Sequence, residues 1–213
     1  MRTFEKTPNK TKKERPLDDV TLGVVHYTGS MSMEGTVSWF KNPNAKVSSH
    51  YVIGRRGEVT QFGQRFSTLW HAGKSEWAGR KWCNKFSIGY ELVGTATSGF
   101  MTDQMSALRD LIIEDLSFCP IEAIVGHEQI APGRKVDPGS GFDWQWLQNE
   151  LEGADWPVPL QQNKLCHIGT KAYPSFVNGG FDLPLGEATM NISEPIAEPS
   201  MPKGKDDSWW KIW

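Results

Sequence analysis

Five short runs rich in β-branched and aromatic residues, TLGVVHY (21–27), HYVIGRR (50–56), EVTQF (58–62), SIGYELVG (87–94) and EAIVGH (122–127), punctuate the chain. Runs of this length and make-up are strands. The second and third meet at Arg56-Gly57, which predicts a hairpin-like connection. Between them lie helical patterns. Thr102 stands as an N-cap with Asp103 in the first turn, and Met105, Leu108, Leu111, Ile112 and Leu116 follow at helical spacing. A second helix is expected from Asp143 to Leu151, with Trp144, Leu147 and Leu151 on one face. Strands interleaved with helices define the fold class: α/β, a single domain with a central mixed β-sheet flanked by helices, covering residues 20–152.

The flanks have a different texture. Residues 1–19 carry Arg2, Lys6, Lys10, Lys12, Lys13 and Arg15 with few apolar partners, which predicts a flexible basic arm. Residues 153–213 hold Pro157, Pro159, Pro174, Pro184, Pro195, Pro199 and Pro202 and sustain no apolar period, which predicts an irregular C-terminal extension. Leu160, Leu165, Ile168, Tyr173 and Phe176 are its candidate packing residues, and its ending SWWKIW suits docking on the domain, a partner or a lipid surface.

A chain of 213 residues has room for one domain of ordinary size plus an appendage. Its net charge of −2 at pH 7 provides no field to draw it onto nucleic acid. Cys83, Cys119 and Cys166 are odd in number and widely spaced, which fits a reducing compartment and neither a disulfide framework nor a thiolate zinc site. No apolar run approaches the length of a membrane span and no signal peptide is evident, so the expected location is cytoplasmic. The sequence does not give the oligomeric state, and a monomer is the favoured expectation.

The stretch HEQIAPGRKVDPG (127–139) concentrates the chemistry. It begins like the helical zinc-protease motif, but position 131, where the second His belongs, is Ala131. The expected local structure is therefore a strand end followed by a return braced by Pro132 and Pro138 and turned at Gly133 and Gly139. In an extended segment Lys135 and Asp137 share one side and Val136 takes the other. A catalytic zinc ion needs three protein donors and one open position. Among His26, His50, His71, His127 and His167, two stand out: His26 and His127 each come at the carboxyl end of a β-type run, where side chains reach a shared crevice.

Together with VVHYT, VSSHYVIGRRGEVTQF, WHAGKSEWAGRKWCNKFSIGYELVG and GFDW, this loop resembles the zinc-dependent N-acetylmuramoyl-L-alanine amidase family over residues 20–147. That family includes recycling amidases, phage endolysins and peptidoglycan recognition proteins. The resemblance implies Zn2+ held by His26, His127 and Asp137, with Lys135 facing the scissile carbonyl and Glu91 acting on the water. It also implies substrate contacts from His71 and Asn84, while Trp70 and Trp77 suit either sugar stacking or core packing. Ser49 stands where the cysteine-ligand branch carries a tyrosine, which is consistent with Glu91 as the acid-base group. On the residues alone, Glu91 shares its strand face with Ser87, Gly89 and Val93, whose small neighbours leave space around a carboxylate.

The implied reaction is hydrolysis of the amide between N-acetylmuramic acid and L-alanine, with peptidoglycan or muropeptides as partners. Trp82 occupies a position where recycling amidases usually carry a basic residue. With the long extension, it orders the readings: first a phage-type endolysin released through a separate holin-type pore, then a cytosolic amidase of anhydro-muropeptide recycling, then a non-catalytic muropeptide-binding module.

Overall fold

The computed structural model describes residues 2–152 and the short strand at 167–168. A sheet runs in the order β1-β4-β3-β7-β2-β8-β9, formed by β1 (Arg2–Phe4), β2 (Leu22–Tyr27), β3 (Tyr51–Ile53), β4 (Val59–Gln61), β7 (Ser87–Leu92), β8 (Ala123–Gly126) and β9 (His167–Ile168). β5 (Glu76–Trp77) and β6 (Arg80–Lys81) form a separate small hairpin. The helices are α1 (Met33–Lys41), α2 (Thr102–Leu116), α3 (His127–Ile130) and α4 (Trp144–Glu152). Only β3 and β4 run antiparallel within the main sheet; every other neighbouring pair is parallel. The mixed α/β domain is as expected.

Each face of the sheet has its own apolar cluster. Val25, Ile88, Tyr90 and Leu92 face Met105, Leu108, Leu111, Ile112 and Leu116 of α2 and Leu147 and Leu151 of α4. Leu22, Val24 and Val125 face the other way, toward Ala72, Cys83, Phe86 and Ile130. Alternation along a strand accounts for the split, since odd and even positions of β2 and β7 point to opposite faces. The functional side chains belong to the second face.

All five predicted strands are present, slightly shorter than their sequence runs. Between β3 and β4, Gly57 turns at φ 78° and the Gly54 amide donates to the Glu58 carbonyl at 2.8 Å, which closes the expected hairpin. α2 starts at Thr102 but its N-cap is Met101, and no side chain caps it, so Thr102 lies inside the first turn rather than before it. α1 escaped the sequence reading because its apolar positions are few: only Thr36 and Phe40 are buried. Its start is nevertheless marked by Ser32, whose Oγ accepts from the Gly35 amide at 2.9 Å.

Residues 2–19 are not a flexible arm. Arg2–Phe4 add a parallel strand to the sheet edge, Thr7 Oγ1 and Asn9 Nδ2 both donate to the Phe40 carbonyl, and Arg15 is buried. The Arg15 guanidinium donates to the carbonyls of Arg65, Asn84 and Ser87. Backbone acceptors satisfy these polar groups, a kind of partner that side-chain composition cannot disclose. In the expected irregular extension, residues 167–168 pair with β8. The extension's other candidate packing residues and SWWKIW lie outside the described residues.

Candidate metal centre

The carboxyl ends of three adjacent parallel strands build the site. β2 pairs with β7 so that His26 lies opposite Glu91, and with β8 so that Leu22 lies opposite Ala123. Carried four residues on, the second register sets His127 beside His26, where β8 gives way to α3. Residues directly opposite in a parallel pair point to the same face. His127, His26 and Glu91 therefore stand in a row.

Asp137 reaches this row by the return of its loop. The segment 127–130 is one helical turn rather than the plain strand end expected from the sequence, and its Glu128 amide donates to the Asp137 carbonyl at 2.9 Å. Gly126 makes room: a Cβ there would lie 2.7 Å from Cδ of Pro138. Beyond the turn the expected alternation holds, with Lys135 and Asp137 buried and Val136 64% exposed.

Three donor atoms converge. His26 Nδ1 lies 2.9 Å from Asp137 Oδ2 and 3.0 Å from His127 Nδ1, and His127 Nδ1 lies 3.1 Å from the same carboxylate oxygen. Read as ion pairs, these contacts need protons on Nδ1. The partners of the opposite ring nitrogens place the protons elsewhere.

Ser87 Oγ donates to the Cys83 carbonyl at 2.6 Å, so it accepts from His71 Nε2 at 3.1 Å. Burial first, then the neighbouring imidazoles, push the His71 pKa well down, so the ring is neutral and its Nδ1 bears a lone pair. That lone pair accepts from His26 Nε2 at 3.0 Å. His26 is neutral for the same reason, its pKa lowered to about 4 by burial and then by His127, which leaves its Nδ1 bare. His127 Nε2 lies 3.1 Å from the Ala72 carbonyl, an acceptor only, and 3.4 Å from the Arg134 guanidinium, a donor only; the shorter contact favours a proton on Nε2.

With both Nε2 atoms protonated, two imidazole lone pairs and a carboxylate oxygen would face one another, an arrangement that a cation at the centre stabilises. Tetrahedral zinc with donors at about 2.0–2.1 Å spaces them roughly 3.3 Å apart. The observed spacing of 2.9–3.1 Å is a few tenths of an ångström tighter, close enough for a small outward shift of the donors to admit that ion. Among the described residues, His26, His127 and Asp137 form the one group of three or more His, Cys, Asp or Glu side chains arranged to hold a metal.

The two expected catalytic groups flank the triad. Glu91 is buried, and its Oε2 has no hydrogen-bond partner among the described residues. Burial, then the charge of Asp137, raises its pKa well above the carboxylate range, with Lys135 opposing. The Lys135 ammonium is lowered by burial, while Asp137 and Glu91 pull it back up. Each of these groups feels the other.

The residues expected to contact substrate have hydrogen-bond partners within the protein. Both ring nitrogens of His71 are committed to His26 and Ser87, and Asn84 Oδ1 accepts the backbone amides of His71 and Ala72. Trp77 packs against the second core cluster, and Trp70 Nε1 donates to Thr11 Oγ1. His50 is a core histidine: its Nδ1 accepts from the Gly89 amide and its Nε2 faces the Ser67 carbonyl. The sequence reading passed over Arg134, which donates to the Ala72 and Lys74 carbonyls. Acceptors on the backbone leave no mark in a sequence, and only its place in the loop 127–139 pointed to it.

The sequence profile of N-acetylmuramoyl-L-alanine amidase matches residues 16–140. The chain belongs to this family. The 1,6-anhydro-N-acetylmuramyl-L-alanine amidase AmpD of Haemophilus influenzae is 41% identical over 103 residues, 47% of this chain and 56% of that protein. The match thus spans little more than half the relative's length. Among solved amidases, the fold is similar to Escherichia coli AmiD bound to anhydro-N-acetylmuramic acid-L-Ala-D-γ-Glu-L-Lys (TM-score 0.59, 28% identity, 66% of this chain and 60% of that one). It is also similar to the endolysin amidase LysCS of Clostridium intestinale (TM-score 0.53, 70% of this chain and 95% of that one), where 13% identity speaks for the amidase fold alone.

Proposed function

We propose that this amidase uses zinc to hydrolyse the amide between the lactyl group of N-acetylmuramic acid and L-alanine, with soluble anhydro-muropeptides as its substrates. The observation that carries the reading is the convergence of His26, His127 and Asp137 beside the buried Glu91 carboxylate, one oxygen of which has no hydrogen-bond partner among the described residues. The same completeness weighs against a non-catalytic binding module. The order of readings drawn from the sequence is reversed: the anhydro-muramyl amidase is 41% identical, whereas the endolysin is 13% identical. Trp82 and a long extension are weaker arguments than that contrast.

His26, His127 and Asp137 would hold the metal, which when bound supplies a Lewis acid and makes water a nucleophile near neutral pH. Glu91 accepts the proton of the attacking water and returns it to the departing nitrogen of L-alanine. Its burial makes it a tenacious proton carrier, and cationic charge beside it, including Lys135, favours the carboxylate that begins the cycle. Lys135 faces the carbonyl oxygen and offsets the negative charge that develops there.

The test compares soluble anhydro-muropeptides with intact sacculi, reading products by mass spectrometry. Free stem peptides with L-alanine amino termini, released faster from the soluble substrate, are expected. New reducing sugar ends would overturn the amidase assignment, and faster attack on sacculi would restore wall lysis as the function.

A further inference from the structure

Two consecutive residues contact the two histidine ligands in turn. The His71 side chain accepts from His26 Nε2 at 3.0 Å, and the Ala72 carbonyl accepts from His127 Nε2 at 3.1 Å. Neither contact touches the triad's donor atoms. Each favours the Nε2–H form of a ligand, at His127 over the longer 3.4 Å approach of the Arg134 guanidinium to the same nitrogen.

The dipeptide is itself held from behind. Asn84 Oδ1 accepts the amides of both residues, at 3.0 Å from His71 N and 2.7 Å from Ala72 N, so one carboxamide oxygen orients two successive peptide planes. Arg134, in the loop that carries Lys135 and Asp137, donates to the same Ala72 carbonyl at 2.8 Å. That carbonyl is a further point, besides the Glu128 amide bond to the Asp137 carbonyl, where the His127 turn and the Asp137 return are tied together.

We propose that the His71–Ala72 dipeptide, clamped by Asn84, is a positioning element that presets the Nε2–H tautomer of both histidine ligands and thereby the zinc affinity of the centre. This rests on the reading of His26, His127 and Asp137 as zinc ligands. It gives His71 and Asn84 a role distinct from the substrate contact expected of them. Outer partners of metal-bound histidines fix ring orientation and raise ligand basicity, and their loss costs about 10- to 100-fold in metal affinity.

The proposal is tested on zinc-free, full-length protein titrated with zinc against a chelating dye, with folding followed by circular dichroism. Asn84→Ala and His71→Phe should weaken zinc binding by about 10- to 100-fold. His71→Asn, whose Oδ1 occupies the place of Nδ1, should recover much of that loss. In the Asn84→Ala protein reloaded at high zinc, KM should match the native value. Unchanged zinc affinity with a raised KM would overturn the clamp and make Asn84 a substrate contact.

Long-range 1H–15N spectra of the zinc-free native protein give a second readout, needing no variant to fold. His26, His71 and His127 should all be Nε2–H tautomers, and an Nδ1–H tautomer at any of them would overturn the proposal. A native chain that binds no zinc yet shows these tautomers would defeat the metal reading, and with it the claim on affinity, while leaving the proton assignment standing.

Discussion

His26 and Glu91 are register partners in the parallel pair β2 and β7, on the same face, with His127 on the other side of His26. A proposed metal ligand and the proposed proton carrier are thus set side by side by sheet geometry. Glu91→Gln keeps the shape of the side chain and removes its basicity. It should retain native zinc content while turnover falls by about 10²- to 10⁴-fold, measured as release of L-alanine amino termini. Turnover within a few-fold of native would reassign the base.

Asp137 is the proposed ligand contributed by a loop, and its loss should leave the His26 and His127 imidazoles facing each other without the carboxylate. Asp137→Ala should lose zinc and activity together, read by metal analysis of the purified protein alongside the assay. Retention of both would show that the carboxylate is not a ligand.

Lys135 should matter to the rate and not to the metal. Lys135→Met keeps the apolar stem and removes the ammonium; loss of one such preorganised charge costs about 3–4 kcal/mol in the barrier, or about 10²- to 10³-fold in kcat. Zinc content should be unchanged. A rise in KM with native kcat would place Lys135 in ground-state binding instead.

Gly89 lies behind the site on β7, where a Cβ would meet Ser49 Oγ at 2.5 Å and His71 Cγ at 2.6 Å. Gly89→Ala must displace His71 from His26. Overpacking of this kind costs about 1–3 kcal/mol, so denaturant unfolding should show that loss and zinc affinity should fall with it. A variant with native stability and affinity would mean that the strand can absorb the methyl group.

Glu114 accepts hydrogen bonds from Arg2 and Arg65, binding β1 and the loop after β4 to α2. The bond from Arg2, opposed by burial and aided by Arg65, lowers its carboxyl to about 2 from an ordinary 4.5. A carboxyl whose folded pKa lies below its unfolded one stabilises fully above the unfolded value and loses that contribution as pH falls toward the folded value. More than a third of the side chain is exposed, so solvent screens the gain. Glu114→Gln should lower Tm modestly near neutral pH, and the gap to the native curve should narrow from about pH 5 to about pH 3. A gap independent of pH would assign the effect to packing.

Much was legible without coordinates because it is local. The period of two in TLGVVHY and SIGYELVG marks strands, and the spacing of Met105, Leu108, Leu111, Ile112 and Leu116 marks a helix whose apolar face is buried. Alternation through Lys135, Val136 and Asp137 set Val136 apart from the other two, and the structure shows it exposed while they are buried. The family motifs named the candidate ligands, and the coordinates bring His26, His127 and Asp137 within hydrogen-bonding distance of one another.

What the sequence by itself determined, then, was the set of elements, the α/β class and the chemistry available at strand ends. Only the tertiary structure decided which groups are partners. Arg15 looked like a solvated charge because its acceptors are carbonyls 50 to 72 residues away. His71 and Asn84 looked like groove residues because their partners lie on β2, on β7 and in the backbone of a neighbouring loop. Hydrogen-bond partnership depends on the register of parallel strands and on backbone oxygens, and these are properties of chain segments brought together, not of any one segment's residues.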